Sequence, residues 1–325
     1  MFLPYFGGPE PLLLLLLALA TDLAVGDIRL IHRLLSMPAA LVRSVVRALD
    51  RRLNRIQRGD RTRRWRGIIL VALIGLLALA SGWLIAGLCR RMAGGWLIEL
   101  VLVTGALDLR GLWSRVRRVG AALRERGLDA GRQALVGLSD QQIQSLDDHG
   151  VVRTGIEALA IGMARRVSAP VLWYGLFGLP GLLSWIAVDT MAAEIGHDTL
   201  HYAQFGWAAA RTAAILSGPP AVLAAVLIAA GAVFTPGAMP ALALRTALSR
   251  RGDDRTVAAM AGAVGVALGG PRREGDQVRR TTWIGDGRAR ALPSDLDRAL
   301  SLFGITGILV AGLTALGLTI AAAAS

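Results

Sequence analysis

A chain of 325 residues that is 54% hydrophobic and only 18% charged is too apolar for a soluble domain and predicts a polytopic membrane protein. Its formal net charge of +13 would suit a nucleic-acid-binding protein, but no basic motif is interleaved with aromatic residues, so we expect no nucleic acid as a partner. The single cysteine, Cys89, excludes a disulfide framework within the chain, and the absence of lysine excludes a lysine-containing phosphate loop and Schiff-base chemistry.

Six apolar runs predict transmembrane helices, because a helix needs about 20 mostly apolar residues to cross the hydrocarbon core. We expect an all-α integral membrane protein with about six transmembrane helices, plus amphipathic interfacial and re-entrant helices. No basic residues precede the first run, which therefore predicts an uncleaved span. The six form a single membrane domain over residues 1–325, and their bounds are 11–25, 67–89, 95–107, 168–188, 218–234 and 300–324.

Arginine placement predicts how the chain is oriented, because cytoplasmic loops carry an excess of basic residues. Residues 27–66 hold twelve arginines, residues 110–132 hold seven and residues 272–290 hold six. Placing all three segments in the cytoplasm of a bacterial inner membrane puts both termini outside. The segment "DTMAAEIGHDTLHYAQFG" (189–206) has no arginine, which favours the outside. A break at Pro180 and Gly181 could instead form a re-entrant hairpin that returns it to the cytoplasm.

The segments between the spans also have helical patterns. "ALVRSVVRALDRRLNRI" (40–56) alternates apolar and arginine faces, which predicts an amphipathic helix that binds anionic lipids. "LWSRVRRVGAALRERGLDAGRQALVGL" (112–138) repeats this design, and we expect Gly127 and Gly131 to divide it. "TVAAMAGAVGVAL" (256–268) is too short to span and predicts a buried or re-entrant helix.

Two glycine turns are candidate anion sites. "LGGPRREGD" (268–276) places a turn beside Arg272, and "TTWIGDGRARALPSDLDRAL" (281–300) places Asp286 between Gly285 and Gly287. Backbone N–H groups in such turns, with arginines nearby, could bind a phosphate ester, although both sequences also suit ordinary turns. Ser294 is the predicted N-cap of the last helix.

Several charged groups lie in or near the apolar runs, where ionised side chains are costly and therefore functional candidates. His197 and His201 have the spacing of two metal ligands on one helical face, but the glutamate of a zinc-protease motif is missing, so we expect no metal site. Arg165 and Arg166 at the mouth of the fourth run fit a membrane-edge anchor, an anion site or the remnant of a different site. The intramembrane candidates are Asp22, Asp27, Glu99, Glu157, Asp189, Glu194 and Arg211.

In sequence order, these segments resemble the CobD/CbiB family, the membrane-bound adenosylcobinamide-phosphate synthases of cobalamin biosynthesis. The resemblance covers nearly the whole chain, and its most specific part is the Trp-Ile-Gly-Asp turn. It rests on "DLAVGD", "LDRRLN", "IEALA", "APVLWYGLFGLPGLLSWIAVDT", "IGH", "YAQFG", "MAGAVGVALGGP" and "TTWIGDGRARALPSDLDRAL". It implies ATP-requiring formation of an amide between a cobyric-acid carboxylate and an aminopropanol-type amine.

The chain departs from the family pattern mainly at polar positions. Where this chain has residues 161–166, "IGMARR", members of the family have a pattern similar to Glu-Asn-x-x-Asp-Gly. Similarly, Lys-Ala-x-Asn-Thr-x-Asp-Ser corresponds to "IAVDTMAA" (186–193), and Ala-Arg-x-Asp-Asp to "ARTAA" (210–214). Because apolar positions are kept while site groups are replaced, we expect a non-catalytic paralogue that acts as a binding or membrane-complex subunit.

The alternative is an active synthase that joins adenosylcobyric acid to an aminopropanol (phosphate), using ATP and Mg²⁺. In that case Glu157, Asp189 and Asp286 are the catalytic candidates; otherwise we expect no cofactor. A small-molecule carrier has no support beyond hydrophobicity. We also expect a homo-oligomer or a subunit of a membrane complex. The candidate ligand-binding residues are Asp22, Asp27, Arg165, Arg166, Arg211, Arg272, Gly285 and Asp286.

Overall fold

The computed structural model describes residues 11–25, 37–54, 59–138, 143–197, 199–270, 272–274, 277–279 and 282–323. Asp27 lies outside them, and the side chain of Arg272 is also outside the description. The first helices are α1 (Pro11–Val25), α2 (Met37–Leu53), α3 (Asp60–Arg91), α4 (Gly95–Ala106), α5 (Leu109–Arg126) and α6 (Leu128–Ala134). After a short 3₁₀ turn (Ile143–Ser145) come α7 (Asp148–Gly162), a π-helical turn (Met163–Ser168), α8 (Ala169–Ile195), α9 (Trp207–Val233), α10 (Pro240–Leu248) and α11 (Asp253–Val264). Strands β1 (Leu268–Gly269), β2 (Arg272–Glu274), β3 (Gln277–Arg279) and β4 (Trp283–Ile284) precede α12 (Pro293–Ala323).

The helical, membrane-like character predicted from sequence is confirmed, and the protein is a multi-pass membrane protein. Within the described residues, four helical segments are long and apolar enough to cross a bilayer: Asp60–Arg91, Asp148–Ile195, Trp207–Val233 and Pro293–Ala323. Pro11–Ala24 is a shorter apolar helix. The count of six spans is not reached by this criterion, since α4 has 12 residues and extends only about 18 Å at 1.5 Å per residue.

The expected element bounds need several corrections. The helices α3 and α12 begin earlier than the apolar runs at 67 and 300, because polar residues continue the same helix, and α9 begins at Trp207, before the run at 218. The chain is also not purely helical, since β1 pairs with β4 and β2 with β3, both antiparallel. Gly127 (φ 81°) does end α5, but Gly131 lies inside α6. The buried helix expected over 256–268 is α11, which stops at Val264 because Gly265 (φ 76°) adopts the left-handed conformation.

The described residues form two compact units. The first combines those of Met1–Leu107, Ala169–Ser217 and Thr314–Ser325, and the second those of Asp108–Ser168 and Gly218–Leu313. The expected organisation as one membrane domain stays a prediction.

In the first unit, α3 and the second part of α8 pack antiparallel. The backbone of Pro180 lies so close to Gly82 that a β-carbon there would be 2.4 Å from the Pro180 Cα. At the other end of α3, Gly67 meets the backbone of Phe205 in the same way. Between these two contacts runs a core that includes Leu70, Ile74, Val188 and Met191. The two glycines therefore let the chain approach α3 closely over about half of its length.

A break divides α8 near its middle. Gly178 has φ 64° and ψ −153°, which an L residue with a side chain rarely adopts, and Pro180 follows it inside the helix. The expected break at Pro180–Gly181 therefore begins two residues earlier, at Gly178. Beyond it, the chain returns along α3 toward the arginine-rich residues that precede Gly67.

Helix α2 lies over the protein core, in addition to having the amphipathic pattern expected of it. Its Val46 is completely buried in the core of the first unit, and Val42, Leu49 and Leu53 pack against that core. Leu41 and Val45 remain exposed. One part of the apolar face of this helix therefore packs against the protein core, and the other part is exposed.

In the second unit, α11 is the buried centre and α7 packs beside it. Every residue from Thr256 to Val264 is buried. The last helix begins at Pro293, so Ser294 lies within its first turn, and the N-cap expected there is wrong. Asp295, completely buried, accepts a hydrogen bond from the backbone N of Leu292 at 2.7 Å and one from Arg288 at 2.5 Å. A carboxylate in the first turn of a helix accepts hydrogen bonds from backbone N–H groups that have no partner within the helix. Its negative charge also interacts favourably with the positive end of the helix dipole.

Candidate functional site

The two glycine turns predicted as anion sites lie side by side in the second unit. Strand β1 pairs with β4, with Leu268 opposite Ile284 and Gly269 opposite Trp283. Gly269 (φ 73°) and Gly270 (φ 84°) form one turn, and Gly285 (φ 90°) begins the other. The short pairing thus joins stretches that are separated by the β2–β3 hairpin.

Glu157 holds the first turn in place. This side chain projects from α7, the residue is only 5% exposed, and its Oε1 accepts a hydrogen bond from the backbone N of Gly269 at 2.6 Å. A hydrogen bond to a carboxylate is short and about twice as strong as a neutral one. The backbone N–H of Gly269, which was expected to bind an anionic ligand, therefore binds a carboxylate of the chain itself.

Arg165 and Arg166 each form an ion pair with a carboxylate. The π-helical turn that contains them has one extra residue, a feature often found at functional sites, and it directs neighbouring side chains to different partners. Arg165 contacts Asp253 through Nε at 2.9 Å and Nη2 at 2.7 Å. Arg166 lies 3.5 Å from Asp108, which also contacts Arg115 at 2.5 Å. Both arginines therefore have a carboxylate partner, and the three alternatives for them stay predictions.

Asp108 and Asp253 were missed by sequence reasoning. Asp253 follows Gly252 at the start of α11, and Asp108 follows the third apolar run, so both resemble ordinary helix-start acids. Only the fold shows that Asp253 lies beside an arginine 88 positions away. Its Oδ1 is a buried oxygen with no hydrogen-bond partner among the described residues.

Further arginines surround Trp283 on β4. Arg250 donates to the Trp283 carbonyl at 3.0 Å, while the Arg153 guanidinium lies 5.4 Å from the centre of the Trp283 ring. Arg153 also donates to the carbonyl of Ala289 at 2.6 Å. Asp286 is 78% exposed and lies 3.8 Å from Arg245. The turns are therefore bordered by positive charge, which would favour a negatively charged ligand.

The remaining predicted site residues lie in the first unit. Asp22 on α1 and Asp189 on α8 are half-buried, and Arg211 on α9 has an exposed side chain that lines an apolar groove. The second unit contains the described candidates Glu157, Arg165, Arg166, Gly285 and Asp286. Within the second unit, Gly285 begins one of the turns that β1 and β4 join, and Glu157 of α7 binds the other.

A polar cluster in the first unit was also missed. The buried Arg63 donates to Asn54 at 3.0 Å and to the carbonyl of His201, and Asn54 donates to the same carbonyl at 3.1 Å. Tyr202 donates to Asp50 at 3.1 Å. Burial and the Asp50 carboxylate both raise the pKa of Tyr202. These bonds attach the segment after α8 to α2 and the start of α3.

Glu194 strengthens this attachment. It accepts from Arg47 Nε at 2.7 Å and lies 2.8 Å from Arg43 Nε, and this hydrogen bond and charge raise the pKa of Arg47. His197 and His201 do not share a helical face, because α8 ends at Ile195 before either of them. The two-ligand spacing considered from sequence is therefore not realised.

The carboxylates suit a magnesium ion held with a nucleotide better than a caged metal. No group of three or more His, Cys, Asp or Glu residues within the described ranges is arranged to hold a metal ion. Mg²⁺ in nucleotide sites needs only one or two carboxylates, with phosphate and water completing its shell. The Oδ1 of Asp253, which has no hydrogen-bond partner among the described residues, is one carboxylate oxygen of this kind.

The fold and site define a multi-pass membrane protein in which a buried carboxylate holds one of two arginine-bordered glycine turns. The sequence model of the CobD/CbiB protein family matches residues 15–303, and the chain belongs to this family. A Rhizobium meliloti (strain 1021) protein named cobalamin biosynthesis protein CobD is 37% identical over 306 residues, which are 90% of this chain and 93% of that protein. Proteins of the same name from Sinorhizobium sp and Rhodobacter capsulatus are 36% and 32% identical, covering 90% and 89% of this chain and 93% and 92% of those proteins. Comparison with solved structures finds no significant match.

These relatives overturn the expectation of a non-catalytic paralogue acting as a complex subunit. Proteins named for cobalamin biosynthesis align with nine tenths of this chain at 36–37% identity. The altered motifs contain only part of the charged groups near Arg165 and Arg166. Asp108 and Asp253 lie outside those motifs, and the fold brings them to Arg166 and Arg165.

Proposed function

We propose that the chain is an active adenosylcobinamide-phosphate synthase. It would join adenosylcobyric acid to an aminopropanol (phosphate) by ATP-dependent amide formation. The observation that supports this proposal most strongly is the alignment of nine tenths of the chain with proteins named cobalamin biosynthesis protein CobD. The reaction itself is the one that the family resemblance implies.

Amide formation of this kind has two balanced steps. A carboxylate oxygen first attacks the γ-phosphorus of ATP, the bond from that phosphorus to the bridging oxygen breaks, and ADP leaves, which forms a mixed anhydride. The amine nitrogen then attacks the acyl carbon, the bond from that carbon to the phosphate oxygen breaks, and the amine loses a proton as phosphate leaves. Both steps develop negative charge on phosphate oxygens, which fixed positive groups stabilise.

The arginines around the turns are suited to that task. Arg250 and Arg153 are held by the backbone carbonyls of Trp283 and Ala289, so they need little reorganisation to meet an anion. Arg165 is 30% exposed and is fixed by Asp253. Bound Mg²⁺ would neutralise phosphate charge, and Asp253 is the residue that would hold it. Glu157 would act as a positioning residue, because its carboxylate already binds the amide of Gly269.

We also propose the inner membrane as the location and a re-entrant path for α8. The segment after α8 is bonded to Asn54 and Arg63 of the arginine-rich residues 37–66, so it shares their side of the membrane. The exposed arginines of α2 (Arg43, Arg47, Arg51 and Arg52) would contact anionic lipid headgroups. Self-association in the membrane remains part of this proposal.

The decisive experiment is complementation of a strain that lacks its own synthase, scored as cobalamin-dependent growth on cobyric acid. The wild-type chain should restore growth, and Asp253→Asn should not, although its membrane level is unchanged. The matched control is Asp297→Asn, which removes a carboxylate that forms only a half-exposed ion pair with Arg124. Absence of growth with the wild-type chain, while a relative rescues in parallel, would reject the proposal.

A second measurement tests the chemistry directly. The purified full-length chain, supplied with adenosylcobyric acid and aminopropanol phosphate, should form the amide only when ATP is present. Chelation of Mg²⁺ should stop product formation, and added Mg²⁺ should restore it. Product that forms without ATP would exclude this mechanism.

A further inference from the structure

A groove in the first unit follows α3 from Ile68 to Leu79. It has a volume of about 680 Å³ and lies where α3, α8 and α9 meet. The α3 side chains recur at helical spacing, so they form one stripe. That stripe consists of Ile68, Val71, Ala72, Gly75, Leu76 and Leu79. From Ile68 to Leu79 the helix rises about 16 Å, close to half of the ~30 Å hydrocarbon thickness.

The two ends of the groove differ in chemistry. At the end near the start of α3, Arg211 lines the groove one helical turn after Trp207. The guanidinium of Arg64 lies 4.0 Å from the centre of the Trp207 ring. The opposite end contains Ser184, and the wall between is apolar. An amphipathic ligand with an anionic head and a hydrocarbon tail would match this distribution.

Arg211 gives the groove its charge preference. Within the part of the chain that the structure describes, its side chain forms no hydrogen bond or ion pair. An arginine in or near the bilayer without a counter-charge is costly, so an anionic group beside it would stabilise the protein. Trp207, 42% exposed, is of the residue type that lies at the level of lipid headgroups.

We propose that this groove binds an anionic phospholipid of the bilayer. The acyl chain lies along the stripe on α3, and the phosphate lies between Arg211 and Arg64. Ala72, Leu76 and Leu79 are exposed on the open side, so a lipid enters laterally without leaving the membrane. This site is separate from the glycine turns and does not depend on the proposed synthase activity.

Spin-labelled lipids test the proposal in the full-length protein. The chain is reconstituted in phosphatidylcholine, and the motionally restricted fraction of acyl-chain-labelled phosphatidylglycerol is compared with that of labelled phosphatidylcholine. Wild-type protein should prefer phosphatidylglycerol. Arg211→Gln should lower that preference by about fivefold, the effect of losing one arginine beside an anionic lipid surface. Arg61→Gln, which alters an exposed arginine that does not line the groove, should leave the preference unchanged.

A steric variant tests the same groove independently of charge. A β-carbon added at Gly75 meets no atom within 4 Å, and Gly75 lines the groove, so Gly75→Leu places its side chain in the groove. It should lower the phosphatidylglycerol preference at least as much as Arg211→Gln does, while the exposed arginines of α2 keep their own contribution. Gly87 on the same helix is equally open but does not line the groove, so Gly87→Leu should preserve that preference. Equal restriction of both lipids by the wild type, an unaltered preference in Gly75→Leu, or cross-linking of two copies through Gly75→Cys would overturn the proposal.

Discussion

Removal of the Glu157 carboxylate should loosen the first glycine turn. The residue is 5% exposed, and its Oε1 accepts from Gly269 N at 2.6 Å, so Glu157→Ala leaves a donor without this partner and opens a cavity. A hydrogen bond to a charged group contributes about 1.5–3 kcal/mol, and an unsatisfied buried donor costs about the same. We therefore expect the turn to lose about 2 kcal/mol of protection against local opening. Glu157→Gln keeps an acceptor oxygen at the same position and should lose less.

Amide hydrogen exchange measures this loss at its source. A change of about 2 kcal/mol corresponds to roughly 30-fold faster exchange of the Gly269 amide, since 1.4 kcal/mol is a factor of ten. Peptides that contain Gly269 should show this increase in Glu157→Ala and a smaller one in Glu157→Gln. Glu125→Ala, which removes an exposed carboxylate on α5, is the matched control and should exchange at the wild-type rate.

The same pair of variants separates positioning from chemistry. If Glu157 only holds the turn, Glu157→Gln should retain most synthase activity while Glu157→Ala loses it. Unchanged exchange in Glu157→Ala would refute the reasoning, because the hydrogen bond would then contribute nothing to the turn. Equal loss of activity in both variants, with exchange normal in Glu157→Gln, would show that the negative charge itself is required.

Two further predictions concern the packing of each unit. The raised pKa of Tyr202 means that its neutral hydroxyl is favoured by folding. The stability from its bond to Asp50 should thus be present below the ordinary tyrosine pKa of about 10 and should fall as the pH rises through the raised pKa of Tyr202. Thermal unfolding should show this fall in the wild type and not in Tyr202→Phe. Gly287→Ala should lower the unfolding temperature, because its Cβ would lie 2.4 Å from the carbonyl carbon of Gly265. Gly304→Ala has open space for a side chain and should not, so equal unfolding temperatures for the two variants would contradict this prediction.

Sequence reasoning located the membrane helices better than their ends. Apolar runs identify the part of a helix that faces lipid or core, but the hydrogen-bonded helix continues into polar residues outside the membrane. For this reason α3 begins at Asp60 and not at Gly67. Similarly, the glycine turns could be predicted because positive-φ positions favour glycine, and Gly269, Gly270 and Gly285 all have positive φ.

The partners of the site residues could not be predicted in this way. Pairing between Glu157 and the amide of Gly269 joins positions 112 residues apart, and no local pattern records such a separation. The π-helical turn that contains Arg165 and Arg166 is likewise invisible in sequence. Long-range contacts depend on how helices pack, which periodicity alone does not specify. The candidate site was therefore predicted as separate turns and charges, without the bonds that connect them.

The side of the membrane occupied by residues 189–206 is where charge bias and structure disagree. The absence of arginine in this segment favours the outside. The structure bonds it to Asn54 and Arg63, within the segment that has the most arginines. Because the positive-inside rule counts basic residues and gives acids little weight, a short segment fixed by tertiary contacts can depart from it. We therefore expect it to be cytoplasmic.

Cysteine labelling of the full-length chain decides between the two sides. Leu200 is 98% exposed and Ala93, beyond the other end of α3, is also exposed, so each accepts a cysteine in a background in which the buried Cys89 is replaced by alanine. A membrane-impermeant maleimide should label Ala93→Cys in intact spheroplasts and Leu200→Cys only after permeabilisation. Labelling of Leu200→Cys from outside would mean that the return path through Gly178 is wrong. It would also place the arginine-rich start of α3 outside, against the strongest charge bias in the chain, because the two are joined by hydrogen bonds.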